Sequence, residues 1–204
     1  MRRPDSTTCF AKGTLITTDN ERIAIEDLRP GDLVLTATNG YKPVRWIGWR
    51  TVDLASFPEV ARRRNQPVFI RASALGCAIP CQDLVLSAGH AIVVSGKLIA
   101  AGTLLSLKNP NIVALQDLPV VTYYHLECDE FEIIYANDVP AESFVDVGNR
   151  HAFDQCIGLP PQEARHRVID KTRVAQFVKA AGTRAGRAQG GSRQEAGELA
   201  IAEL

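Results

Sequence analysis

Cys9-Phe10-Ala11-Lys12-Gly13-Thr14-Leu15-Ile16-Thr17-Thr18 is the stretch where an irregular leader, Met1-Arg2-Arg3-Pro4-Asp5-Ser6-Thr7-Thr8, gives way to the first alternating run. Residues 14–17 alternate as a β-strand does and stop at Asp19-Asn20. A cysteine at that junction has two readings. It is small core filling, or it is a thiol aimed at the carbonyl of the residue before it.

Working outward, the chain reads as short strands and turns as far as Phe153. Residues 21–25 form a second run, and Asp27-Leu28-Arg29-Pro30-Gly31-Asp32 is a turn, with Pro fixing φ at the first central position and Gly supplying φ > 0 at the next. Residues 33–36 read as a strand, Asn39-Gly40 as a hairpin turn and 41–50 as the returning strand. Residues 54–65 are a polar connection with room for a short helix ending in Arg62-Arg63-Arg64. Strand patterns follow at 68–70, 84–86, 91–94, 97–99 and 104–105, with Ser95-Gly96 as a tight turn. Residues 120–126 and 132–136 read as a last β pair before 141–145. Many short strands at close spacing predict an all-β domain.

Composition changes after Phe153: residues 163–181 have loose helical spacing, and 182–197 combine Gly, Arg, Gln and Ser with no aromatic residue, which predicts disorder. The expected organisation is a leader over 1–8, a β domain over 9–153 and a C-terminal extension over 154–204, partly helical and then disordered.

The chain has 204 residues, with 23 Lys+Arg balanced by 23 Asp+Glu, so net charge makes no case for a nucleic-acid or anionic-membrane partner. Five cysteines at irregular spacing do not form a disulfide framework. The leader runs into no apolar signal segment, and no stretch approaches the roughly 20 apolar residues of a membrane-spanning helix. The expectation is a soluble, monomeric, cytoplasmic protein with reduced thiols, export of a longer precursor remaining open.

Four histidines are candidates to assist Cys9. His166 lies in the basic Arg165-His166-Arg167 and His151 in a turn-like stretch, and both read as solvated or structural. His90 sits in Ser87-Ala88-Gly89-His90, a polar break between two apolar strands. A tight turn there brings hydroxyl, imidazole and backbone N–H groups into one small volume, which a carbonyl under attack requires. Taken by itself, S-x-x-H is a weak pattern, and local spacing favours a turn serine and a satisfied core histidine. His125 lies on an alternating strand, on one face with Tyr123. It reads as a cross-strand partner or as the base that takes the thiol proton. Cys77 and Cys81 stand at C-x3-C with no second ligand pair, so neither a metal nor a redox motif is expected, and no cofactor is called for. Cys128 reads as a core residue and Cys156 as a loop residue.

Taken together, five segments resemble the Hint family, the Hedgehog/intein autoprocessing domains. They are Cys9-Phe10-x-x-Gly13-Thr14-x-Ile16-x-Thr18, Leu28-Arg29-Pro30-Gly31-Asp32-Leu33-Val34, Ser87-Ala88-Gly89-His90, Tyr123-Tyr124-His125-Leu126-Glu127 running on through Ala136-Asn137, and the pair Pro43-Val44-Arg45-Trp46-Ile47-Gly48 with Ala141-Glu142-Ser143-Phe144. The last pair resembles the bacterial, intein-like subgroup. The resemblance implies a horseshoe-like all-β fold with intertwined terminal strands. It also implies an N–S acyl shift in which Cys9 attacks the Thr8–Cys9 bond, giving a thioester that water or a small nucleophile resolves. The substrate is then the domain's own N-terminal flank. By the same resemblance, His90 protonates or polarises the departing nitrogen, Ser87 holds that geometry, and His125 stands where splicing inteins often carry an aspartate. Intramolecular attack is worth up to about 7–11 kcal/mol, and a strained scissile peptide adds about 1–3 kcal/mol.

The chain also departs from the family pattern. Splicing inteins end in His-Asn before a nucleophile, whereas the corresponding segment here is Ala141-Glu142-Ser143-Phe144 and Phe131 stands for the late histidine. Asn137, before Asp138, reads as a turn residue. Cleavage without splicing is therefore expected. Cleavage after Thr8 releases only eight residues of this chain, which keeps a catalytically silent Hint module open as the alternative. A cysteine hydrolase acting in trans through Cys9 and His90 is the weakest reading, since nothing defines a cleft or an Asp/Asn orienter.

Overall fold

The computed structural model describes residues 8–159. The helical and disordered expectations for 163–197, and His166, lie outside the described residues. The elements run β1 (Phe10–Ala11), β2 (Leu15–Thr17), β3 (Arg22–Ala24), β4 (Leu33–Leu35), β5 (Tyr41–Pro43), β6 (Trp46–Asp53), α1 (Glu59–Arg64), β7 (Val68–Ile70), β8 (Leu84–Leu86), β9 (Ala91–Val94) and β10 (Lys97–Ala100). A 3-10 helix (Ala101–Leu107), β11 (Ile112–Ala114), β12 (Val120–Glu127), β13 (Ile133–Ala136), β14 (Val139–Glu142), a short 3-10 turn (Arg150–Ala152) and β15 (Gln155–Gly158) complete them. The fold is all-β, as the strand pattern predicts. A seven-stranded sheet has the order β11-β7-β8-β1-β12-β6-β15, a six-stranded sheet the order β10-β9-β14-β13-β2-β3, and β4-β5 stands as a separate hairpin.

Both sheets bury one face in a common core. Phe10, Leu86 and Leu126 of the first sheet meet Ile16, Ile92, Ile134 and Ala141 of the second, all within 2% of full burial. Several turns follow their sequence signals. Asp32 N–H donates to the Arg29 carbonyl at 3.1 Å across Pro30-Gly31, with Gly31 at φ 101°. Ser95 and Gly96, at φ 49° and 73°, close a two-residue turn between paired Val94 and Lys97. α1 falls inside the polar connection, with none of its residues buried.

Four readings need correction. Residues 41–50 are not one strand. Val44 N–H still donates to Asp32 O, but Arg45 N–H donates to Glu127 O, so the chain changes partners there and continues as β6 against β12. Residues 120–126 and 132–136 are not paired with each other. β12 is flanked on both edges by β1 and β6, and β13 lies in the other sheet between β14 and β2. Leu104 and Leu105 belong to the 3-10 helix rather than a strand. Cys156 lies on β15, which pairs with β6 along its length, so the sheet runs past Phe153.

Gly48 of β6 stands directly across from His125. A Cβ there would lie 2.1 Å from the Trp46 ring, so only glycine lets that indole fold back over the sheet toward Phe153, 5.1 Å between ring centres.

Candidate active site

β1 is only two residues long, yet Phe10 pairs with Leu86 of β8 on one side and with Tyr124 of β12 on the other. This inserts the start of the family-like block between the end of β8 and the middle of β12. Cys9 therefore arrives beside Ser87, and Thr8 beside His125.

The contacts made there are specific. Cys9 N–H donates to Ser87 Oγ at 2.8 Å, and Ser87 N–H donates to the Cys9 carbonyl at 3.0 Å. One serine thus holds both main-chain polar groups of Cys9. On the other side of the Thr8–Cys9 peptide, Thr8 Oγ1 lies 3.2 Å from His125 Nε2. Leu126 N–H donates to His125 Nδ1 at 3.1 Å, so hydrogen bonding assigns the single ring proton to Nε2, which donates to Thr8. The Thr8–Cys9 peptide is trans and Cys9 does not adopt a positive φ.

The Ser87–His90 turn is anchored from several directions. His90 N–H donates to Ser87 O at 3.0 Å, Ala101 N–H to His90 O at 2.8 Å, and Gly102 N–H to Ala88 O at 2.8 Å. Ala91 N–H donates to Glu142 Oε1 at 2.9 Å. Burial pushes the Glu142 carboxyl up to about 7, that N–H opposing it. The turn is clamped, but its imidazole is not: neither ring nitrogen of the fully buried His90 makes a hydrogen bond. The ring packs 4.1 Å from Phe10 and 5.0 Å from His125 between centres. Desolvation pushes His90 down to about 3, against a smaller opposing pull from the main chain of Glu142. His125 is held well below the usual histidine range, by burial first and by His90 second. Both imidazoles are neutral at pH 7.

Cys9 is wholly buried and packs with Ala11, Leu54, Val121 and Tyr123. Its successor Phe10 points to the other face and carries the contacts to both imidazoles. The fold thus gathers Thr8, Cys9, Ser87, His90 and His125 around one peptide, with Ser87 rather than His90 on the Cys9 nitrogen. His151 is exposed on the 3-10 turn, and Cys77 and Cys81 are exposed in the loop before β8. Among the described residues, no group of three or more His, Cys, Asp or Glu side chains is placed to hold a metal ion.

Sequence reasoning missed the outer wall. The Phe144 ring lies 5.4 Å from His125 and 5.1 Å from Trp46. Arg150 stacks 4.5 Å over Trp46 and pairs with Glu127 at 2.7 Å. Phe144, Arg150 and Glu127 come from separate segments with no shared motif, so no local pattern could have joined them.

A two-sheet all-β fold with a cysteine at its first strand, beside a Ser-x-x-His turn, is the architecture of a self-processing domain. The chain belongs to the Hint-domain family, whose sequence model matches residues 8–148. No curated protein matches it. Among solved structures, it is similar to a DnaB intein from Synechocystis sp. PCC 6803, with 14% identity, a TM-score of 0.47, and coverage of 68% of this chain and 100% of the other. It is also similar to a bacterial intein-like domain from Clostridium thermocellum, with 18% identity, a TM-score of 0.46, and coverage of 67% and 99%.

Proposed function

We propose that this Hint domain cuts its own chain at Thr8–Cys9 by an N–S acyl shift and releases the N-terminal flank without splicing. The observation that carries the reading is the grip on both sides of that peptide: Cys9 N–H on Ser87 Oγ and Thr8 Oγ1 on His125 Nε2. In the shift, Cys9 Sγ attacks the Thr8 carbonyl carbon, the C–N bond breaks, and the thiol proton ends on the freed Cys9 amine. Ser87 Oγ already touches that nitrogen and is the atom through which the proton passes. His90, whose ring nitrogens are unpartnered, is a second donor to the departing nitrogen. His125 acts as a neutral donor that fixes Thr8, since its Nδ1 is occupied by Leu126 N–H. Proximity is the main source of acceleration, worth up to about 7–11 kcal/mol. Water or a small nucleophile then cleaves the thioester, giving the Thr8 carboxylate or its adduct and restoring the Cys9 thiol.

Two observations support the absence of splicing. The segment directly after β14 offers Ser143 and Phe144 rather than an asparagine, and Phe144 packs beside His125. The Asn137 amide is engaged in the fold, accepting from Leu15 N–H at 2.7 Å and donating to Asp83 O at 3.0 Å. The alternative, a silent module, draws on the complete burial of Cys9. A reporter fused ahead of Thr8 distinguishes them. Time-dependent release accelerated by dithiothreitol or hydroxylamine is expected, and an intact fusion after long incubation with either nucleophile rejects self-cleavage.

A further inference from the structure

Tyr123 is 4% exposed, and its hydroxyl is a buried polar atom with no hydrogen-bond partner. Leaving a buried O–H unmade costs about 1–3 kcal/mol, and a fold retains such a group at little benefit unless something in the site uses it. The ladder shows what lies within its reach. Ala11 is the direct partner of Tyr123 and Phe10 that of Tyr124, so Cys9 lies one step further along, diagonal to Tyr123. Diagonal neighbours on one face are about 7–8 Å apart at the backbone, a span that long aromatic side chains cover. Cys9, Ala11 and Tyr123 share one buried cluster, while Phe10 belongs to the main core. On its other side Tyr123 is paired with Arg50 of β6. Burial holds the phenol well above its usual range, and the charge of a Cys9 thiolate adds to that while Arg50 opposes it. The phenol is therefore a neutral O–H donor at every working pH, beside a sulfur that must become an anion in an apolar pocket.

We propose that Tyr123 is a further catalytic residue of this site, its phenolic O–H donating a hydrogen bond to Cys9 Sγ as the thiol ionises. The bond stabilises the thiolate that attacks Thr8, and the phenol keeps its own proton throughout. The thiol proton still ends on the Cys9 amine. This inference rests on Cys9 being the nucleophile of the proposed self-cleavage.

The test reads the sulfur and the cleavage separately. In protein labelled with 13C at cysteine Cβ, titration of the Cys9 signal is followed by NMR in the wild type and in Tyr123→Phe, with Cys9→Ala assigning the resonance. Loss of a donor to the thiolate is expected to raise the Cys9 titration by about one pH unit. In the reporter fusion, Tyr123→Phe is expected to slow dithiothreitol-induced release about tenfold at pH 7 and to recover toward the wild-type rate as pH rises. Should Tyr123→Phe fail to fold, 3-fluorotyrosine at position 123 provides a more acidic donor and is expected to move the titration downward. A Cys9 titration unmoved by either change overturns the proposal, as does a slower cleavage that is equally slow at every pH. A shifted titration in a domain that releases no reporter rejects self-cleavage while upholding the Tyr123–Cys9 hydrogen bond.

Discussion

The two imidazoles beside Thr8–Cys9 sit 5.0 Å apart, equally buried, and are held in opposite ways. His125 lies on the eight-residue β12, with Thr8 on one ring nitrogen and Leu126 N–H on the other. His90 ends a four-residue turn whose backbone is bonded at Ser87, Ala88 and His90, while its ring makes no well-aligned hydrogen bond and feels only a weak pull from the Glu142 main chain. A side chain that has satisfied both nitrogens can only hold what it already touches. A side chain with two unmet nitrogens retains a demand that a moving proton or a leaving amine can meet. In the proposed cleavage the strand therefore positions the peptide, and the turn takes part in breaking it.

The largest effects belong to the sulfur and the turn. Cys9→Ala is expected to abolish reporter release, as judged by the mass of the fusion after a day with hydroxylamine. Ser87→Ala removes the acceptor on Cys9 N–H and is expected to slow release about 10²–10³-fold, the loss typical of one catalytic hydrogen-bonding group. Ser87→Thr restores the hydroxyl and most of the rate. His125→Phe removes only a positioning contact and is expected to cost about tenfold, seen mainly as slower thioester formation. If His125→Phe is as damaging as Ser87→Ala, the division of labour between strand and turn is wrong.

Those roles were unequally legible in the sequence. The turns at Pro30-Gly31 and Ser95-Gly96 could be read from their residues because the backbone there demands φ > 0, a local constraint. Most strands could be found from their apolar runs. Their partners could not: 41–50 reads as one ribbon until Glu127, 82 positions from Arg45, takes over the hydrogen bonding. β1 escaped notice because two residues carry no period, although it threads the site between β8 and β12. Ser87 and His90 stand out in the sequence through the family resemblance, but which of them meets the Cys9 nitrogen depends on how far β1 slides along Leu86. That is a tertiary register with no local trace.

An ion pair braces the strand side. Glu127, at the end of β12, is 5% exposed at its side chain and bound to Arg150, itself 20% exposed and stacked on Trp46. Burial raises the Glu127 carboxyl's pKa and Arg150 pulls it back. Arg150→Leu leaves that carboxylate in apolar surroundings and loosens Phe144 from His125. The expected loss is about 3 kcal/mol, at the lower end for a broken buried pair because Arg150 is partly solvated. Urea unfolding at pH 7 reads it. The double change Glu127→Gln with Arg150→Leu recovers part of the loss, whereas a double variant no better than the single one denies the pair its role.

The smallest effect separates the two sides of the turn by their protons. His90 is held at about 3 when folded against 6.5 when free, so the unfolded chain takes up a proton first as pH falls. Its contribution to stability is whole above pH 6.5 and is lost as pH drops toward 3. Glu142, raised from 4.5 to about 7, acts with the opposite sign: its contribution is whole below pH 4.5 and is lost as pH rises to about 7. Between pH 4.5 and 6.5 the two nearly cancel, which masks each in the wild type. Removing either exposes the other. His90→Gln is expected to leave stability falling as pH rises through that window, by about 1.4 kcal/mol per pH unit relative to the wild type, and Glu142→Gln to leave it rising with pH by the same amount. Urea titrations at pH 5, 5.5, 6 and 6.5 measure both slopes. Two variants whose slopes move in the same direction contradict the opposition of neutral imidazole and protonated carboxyl across the Ser87–His90 turn.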